Sequence, residues 1–227
     1  MFIFLATSLM FLVGIVYTSK VIQKSRKDLL LRQSGNTAIH GEAARSLRSE
    51  KFAVRKANRE KGVIGELGVA KDLEYLANEY GLTVLHDLSI PGSKANIDHI
   101  LITRKVIYVI DAKNYTGLVK IYRRKDGKKI LRVGSRDQTS LATKVSFYAD
   151  KVREFLESEN IDVKVLPLLA FYQANFHQDS AVSINGVSVN VFGVENELMR
   201  FAKVKSSEID IERIAELLLK EFPLNLK

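Results

Sequence analysis

NIDHILITRKVIYVIDAKN, residues 96–114, holds two apolar runs, Ile97–Ile102 and Val106–Ile110, parted by the polar Thr103-Arg104-Lys105. Both runs are rich in Ile and Val and too short for typical helices, so buried strands are expected. A hairpin centred between Arg104 and Lys105 pairs Thr103 with Val106 and Ile100 with Val109, and so sets Asp98 opposite Asp111. Two-residue and four-residue symmetric loops give the same pairing. Side chains alternate along a strand, which places Asp98, Asp111 and Lys113 on one face. Two carboxylates ~4 Å apart repel by roughly 4 kcal/mol at an effective dielectric near 20. Two acids closing an otherwise apolar hairpin therefore need a cation between them, or a shared proton.

An Asp followed on the next strand by Asp-x-Lys resembles the signature of the PD-(D/E)xK nuclease superfamily. Gly65-Glu66 opening a helix, Ile97-Asp98-His99, and Asp111-Ala112-Lys113-Asn114-Tyr115 followed by Gly117 together resemble NERD, the nuclease-related domain. The resemblance runs from roughly Gly62 to Phe176. Ile97 stands where the superfamily name has Pro, and Asp111 stands where many members have the longer Glu. What the resemblance implies is an α/β fold with a restriction-endonuclease-like core, αβββαβ, a mixed sheet flanked by helices. It implies hydrolysis of phosphodiester bonds, in DNA first and RNA second. It further implies Mg²⁺ or Mn²⁺ held by Asp98, Asp111 and Glu66, with Lys113 and Gln138 completing the catalytic set.

The residues around the hairpin carry their own readings. Gly62–Tyr80 reads as an amphipathic helix with the stripe Val69, Leu73, Leu76 and Tyr80. Glu66 falls on that stripe one turn earlier, either facing the core with a partner or reaching solvent past its edge. Gly65 and Gly68 flank it and would let another backbone approach closely. Asp137–Ser158 reads as a second such helix, striped by Leu141, Val145, Tyr148, Val152 and Phe155, with Gln138 one turn before Leu141. Gln138 serves either the site or a hydrogen bond at the core's edge.

Thr83–Ile90 is expected as a strand ended by Pro91-Gly92, and IYRRKDGKKILRV, residues 121–133, as a second hairpin turning at Asp126-Gly127. That turn carries Arg123, Arg124, Lys125, Lys128 and Lys129. It is either a solvated edge hairpin, protected by its charges, or an arm that contacts nucleic-acid phosphates. Val163–Tyr172 reads as a central strand, and Val182–Val191 as one or two strands about Asn185-Gly186. Glu195–Phe201 begins a short helix, and Ser207–Phe222 a closing helix capped by Ser206 or Ser207. His40, His86 and His177 form no ligand spacing, and His99 is expected to pack on the strand face opposite Asp98.

The chain has 227 residues, no Cys and a formal net charge of +9. Without Cys there is no disulfide framework and no Cys-ligated zinc. Residues 18–61 hold 12 Lys/Arg against 4 Asp/Glu, and the rest of the chain 23 against 22, so the surplus is local. The stretch before Lys20, FIFLATSLMFLVGIVYTS from Phe2, is uncharged and near the lower limit for a spanning helix, which needs ~17–25 residues. No basic residue precedes it, whereas Lys20, Lys24, Arg26 and Lys27 follow, which argues for an anchor rather than a cleaved signal.

The organisation expected is a membrane span over 1–19, a basic juxtamembrane segment over 20–61, a nuclease-like core over 62–180 and its extension over 181–227. The basic segment suits anionic lipid headgroups or nucleic acid. Nothing in residues 1–61 is expected to be needed for burial in the core. The rival to the enzyme is a catalytically silent, membrane-tethered binding or signalling module of the same fold. The intact acid–acid–lysine set favours the enzyme.

The charge asymmetry predicts a single-pass anchor with the domain on the cytoplasmic side. A reporter fused after Lys227 checks this; activity of a reporter that works only after export would overturn it. Neutralising Lys20, Lys24, Arg26 and Lys27 should weaken or invert the orientation.

Overall fold

The computed structural model describes residues 38–43, 56–177, 182–191 and 209–225. In chain order these form β1 (Ala38–His40), α1 (Lys56–Tyr80), β2 (Thr83–Ser89), β3 (Asn96–Ile102), β4 (Val106–Lys113), β5 (Gly117–Arg123) and β6 (Lys129–Val133). There follow β7 (Arg136–Asp137), α2 (Thr139–Ser158), β8 (Lys164–Phe171), β9 (Ala174–Phe176), β10 (Ser183–Ile184), β11 (Val187–Val191) and α3 (Ile211–Glu221). The order α1, β2, β3, β4, α2, β8 is the expected αβββαβ. The expected span over 1–19 and the helix expected over Glu195–Phe201 lie outside the described residues. Among the described residues no helix is long and apolar enough to cross a membrane.

The main sheet has seven strands in the order β1-β2-β3-β4-β8-β11-β10. It is mixed: β2, β3 and β4 are antiparallel neighbours, while β4, β8 and β11 run parallel. The β3–β4 register pairs Ile100 with Val109 and Ile102 with Ile107, as the symmetric two-residue loop requires. Thr103 closes that loop, its N–H and its hydroxyl both donating to Val106 O at 3.0 and 2.8 Å. A smaller sheet, β7-β6-β5-β9, stands beside the first.

Helices cover both faces of the main sheet, which is why Val106–Ala112 is buried without a break. On one face Val69, Leu73 and Leu76 of α1 pack on Val84, Leu101, Tyr108 and Ile110. On the other, Tyr148 and Val152 of α2 and Leu218 and Phe222 near α3 pack on Ile100, Ile102, Ile107 and Val109. Odd and even residues of β4 thus go to opposite layers, as the pleat demands.

Several boundaries differ from the sequence expectation. The helix expected from Gly62 starts at Lys56. The closing helix starts at Ile211, not Ser207, because Asp210 caps it by accepting from Arg213 N. Ala38–His40, inside the segment expected to be only juxtamembrane, pairs with Thr83–Leu85 as a parallel edge strand. Residues 1–61 therefore do contribute to the sheet. Farther along that same edge of β2, Ser89 N donates to Pro223 O and Asn225 N to Asp87 O. At the start of the second stretch Asp87 adopts φ 51°, a left-handed conformation that Asp tolerates better than most residues.

The start of α1 lies directly against the end of β4. A Cβ on Gly65 would stand 2.7 Å from Asn114 Cβ and 3.0 Å from Asn114 N. Asn114 Nδ2 in turn donates to Lys61 O at 2.9 Å. Gly68 lies under the Tyr172 ring, where a Cβ would stand 2.1 Å from Cε2. In an unobstructed helix Gly→Ala gains about 1 kcal/mol, but overpacking costs typically 1–3 kcal/mol, and backbone cannot step aside. Gly65→Ala should therefore lower stability by up to about 2 kcal/mol in urea denaturation; a gain in stability would show that α1 does not sit this close.

Candidate active site

The β3–β4 ladder runs to His99↔Ile110; one step on in the same register, Asp98 stands across from Asp111. There the Ala112 N–H is taken by the Asp98 carboxylate, at 2.8 Å from Oδ2. Lys113 Nζ lies 2.6 Å from Asp111 Oδ2 and 3.7 Å from Asp98 Oδ2. The two acids and the lysine thus converge at the end of the hairpin. The repulsion foreseen between the carboxylates is met by an ammonium. Asp98 is 7% exposed and Asp111 1% exposed, so this is a largely desolvated cluster.

Glu66 enters from α1 and is 6% exposed. Its Oε2 is buried with no hydrogen-bond partner, which settles the orientation left open by the helical stripe: the carboxyl faces inward. Burial, and then the nearby Asp98 charge, push its pKa up to about 9. Burial also raises Asp98, to about 6, against the opposing pull of Lys113. Lys113 shows the reverse balance. Burial alone would lower it, but Asp98 and Asp111 outweigh this and hold it above the ordinary lysine value.

These side chains floor a cleft of about 770 Å³, lined by Glu66, Asp98, Lys113, Gln138, Asn96, Lys144 and others. Gln138 is the N-cap residue of α2; its backbone N–H donates to Leu131 O at 2.8 Å, and its side chain makes no capping bond. Gln138 thus lines the cleft with no capping duty. Asp111 lies beneath, reached by Lys113 on one oxygen and by Lys144 Nζ at 3.6 Å from the other.

The basic turn does not join this cleft. Tyr115 and Thr116, just before β5, line it, whereas Arg123, Arg124, Lys125, Lys128 and Lys129 sit at the far end of that hairpin. Seven strand residues at ~3.3 Å each separate the two by roughly 20 Å. Arg123 donates to Gly127 O at 2.9 Å and Lys129 to Ser183 O at 3.3 Å, so part of this charge holds the hairpin in place.

Lys144, Asn96, Arg136 and Lys61 line the cleft without having been singled out in the sequence. A signal for Lys144 was there: with Leu141 and Tyr148 it follows three-and-four spacing, a charge on an apolar stripe like Glu66. His86 and His99, far apart in sequence, meet across β2 and β3 with Nδ1 atoms 2.8 Å apart. Burial pushes His86 down to about 4 and His99 well below its usual value. His99 is thus a packed strand residue, as expected.

Among the described residues no three acid, imidazole or thiol groups are gathered closely enough to cage a metal by themselves. The donor set still suits a hard cation that keeps several of its waters: two convergent carboxylates, and a third carboxyl with an unpartnered buried oxygen.

Raised carboxyl pKa values give the metal-free protein a definite pH dependence. Between 4.5 and about 9 the folded chain holds the Glu66 proton that the unfolded chain releases. Stability therefore falls as pH rises through that window. In chelator, the thermal midpoint should drop from pH 5 to pH 9, and Glu66→Gln should flatten the drop and raise the midpoint at pH 8 by several degrees, roughly 2–4 °C per kcal/mol. Parallel profiles for the two proteins would show Glu66 to be ordinary.

Residues 61–172 match the family model of NERD, the nuclease-related domain. No curated protein and no solved structure matches the chain. The matched range spans α1 through β8 and contains Glu66, Asp98, Asp111, Lys113, Gln138 and Lys144. The chain therefore carries a nuclease-related domain of the NERD family over residues 61–172.

Proposed function

We propose that this chain is a metal-dependent phosphodiesterase acting on nucleic acid, DNA first and RNA second, tethered to a membrane by its amino-terminal run. The observation that carries the reading is the convergence of Asp98 and Lys113 on the floor of an open cleft with Asp111 directly beneath. A purely structural fold has no use for three charges held out of water, since burying them costs several kcal/mol per ion.

Asp98 and Asp111 would hold Mg²⁺ or Mn²⁺, with Glu66 as the third carboxyl. The chemistry such an ion supplies is polarisation of the scissile phosphate and a lowered pKa for an attacking water. Lys113 stays protonated, because the neighbouring carboxylates favour its charge over the effect of burial. It is therefore a poor base and a good cation, placed to orient a water or to neutralise charge that develops on the phosphate. Glu66, its pKa raised to about 9 by burial and the Asp98 charge, would have to bind a cation as the carboxylate. The Gln138 amide, free of capping duty, offers both a donor and an acceptor to whatever lies in the cleft. The same cleft without turnover would be a binding module, and one assay separates the two.

Cleavage of single-stranded, duplex and branched DNA, and of RNA, should require Mg²⁺ or Mn²⁺ and cease in chelator. Asp111→Asn should reduce it on the order of a hundredfold or more, the scale seen when one electrostatic stabiliser is removed. Metal-dependent cleavage that survives Asp111→Asn would place the activity elsewhere. No cleavage of any substrate would leave the silent module.

A further inference from the structure

Lys144 lines the same cleft as Lys113. It projects from α2 on the stripe Leu141, Lys144, Tyr148, into the cleft that Lys113 floors. Its ammonium lies 3.6 Å from Asp111 Oδ1 and 5.3 Å from the centre of the Tyr148 ring. Its side chain is 47% exposed, whereas that of Lys113 is 19% exposed.

Two features set this lysine apart from a simple counter-ion. Asp111 already has Lys113 Nζ at 2.6 Å on its other oxygen, so its single charge is met without Lys144. And 3.6 Å is beyond hydrogen-bond reach, so the ammonium is drawn toward the carboxylate without being bound to it. A strongly hydrated head on a flexible four-carbon stem has room to move several ångströms from there. Three carboxyl groups, Glu66, Asp98 and Asp111, face two ammonium groups, Lys113 and Lys144. A divalent cation entering the floor would leave positive charge in surplus on the cleft side even with all three ionised.

We propose that Lys144 is a substrate-contacting residue: it binds a non-bridging phosphate oxygen of the nucleic-acid strand that lies in the cleft. This rests on the phosphodiesterase reading and adds to it the residue that seats the backbone on the α2 side. Lys113 is held by two buried acids and acts at the reacting phosphate; Lys144, more exposed and less firmly paired, acts on a phosphate at the cleft mouth.

The test is equilibrium binding of fluorescent single-stranded and duplex oligonucleotides by the full chain, with Ca²⁺ in place of Mg²⁺, across a salt series. Each phosphate contact contributes about 0.7 for single strands, or 0.9 for duplex, to the slope of log affinity against log salt. Lys144→Gln should lower that slope by one such contact. The affinity at 0.1 M salt, relative to 1 M, should then fall about five- to eightfold. Lys144→Arg should keep the wild-type slope. A lysine serving only as counter-ion to Asp111 would shift the thermal midpoint and leave the slope alone, and that result would overturn the proposal. If wild type itself binds neither oligonucleotide, the phosphodiesterase reading falls and Lys144 with it. Wild-type binding with an unchanged Lys144→Gln slope removes only the role of Lys144.

Discussion

Lys113 reaches both Asp111, at 2.6 Å, and Asp98, at 3.7 Å, the two acids being almost closed to water. Charges in such a position are expensive to hold. Removing one partner of a buried pair leaves the other uncompensated at a cost of about 3–5 kcal/mol, so each member commits the rest. The structure around them is built to keep them in place. β4 is covered on both faces, and its ladder to β8 continues through Asp111↔Leu169 to Lys113↔Phe171. The strand that bears Asp111 and Lys113 is therefore fixed to its end even where β3 has stopped pairing. Asp98 is anchored from the other side by the Ala112 N–H.

The helices then bring to this floor what the sheet cannot provide. α1 delivers Glu66 because Gly65 lets its backbone rest on Asn114, and the Asn114–Lys61 hydrogen bond keeps it there. α2 delivers Gln138 at its N-cap and Lys144 on its sheet-facing stripe. Behind Asp98, the hydrogen-bonded His86 and His99 tie β2 to β3. His86 Nε2 also faces Glu74 of α1 at 3.4 Å. A cleft assembled from three elements in this way has a rigid floor and walls that differ in chemistry.

What could be read from the sequence was what depends on neighbours in the chain. The hairpin register follows from a symmetric loop of two residues, so the convergence of Asp98 with Asp111 and Lys113 was accessible from spacing alone. So was the inward turn of Glu66 as one of two alternatives, and the Asp126-Gly127 and Asn185-Gly186 turns, where Gly127, Asn185 and Gly186 all have positive φ. What could not be read depends on distant pieces meeting. β1 is only three residues long, Ala38–His40, too short for an alternation to mark it. The charged hairpin was legible as a hairpin, but which of its ends meets the cleft is decided by how the small sheet docks, and nothing local carries that. His86 and His99 looked unrelated because their contact is made by the β2–β3 register rather than by spacing.

The outer edge of β2 is closed by two segments from opposite ends of the described chain: Ala38–His40 along Thr83–Leu85, and the stretch around Leu224 along Asp87–Ser89. During synthesis the first is available before β2 itself is made, and the second only after nearly everything else. Half of this edge therefore waits, with unpaired N–H and C=O groups, until the residues near 224 emerge. A bare strand edge invites pairing with another chain, and incomplete folding intermediates are where such errors arise. The left-handed kink at Asp87 separates the early half from the late one. The late half runs only from Asp87 to Ser89, where β2 ends, a short template for a nascent neighbour to extend.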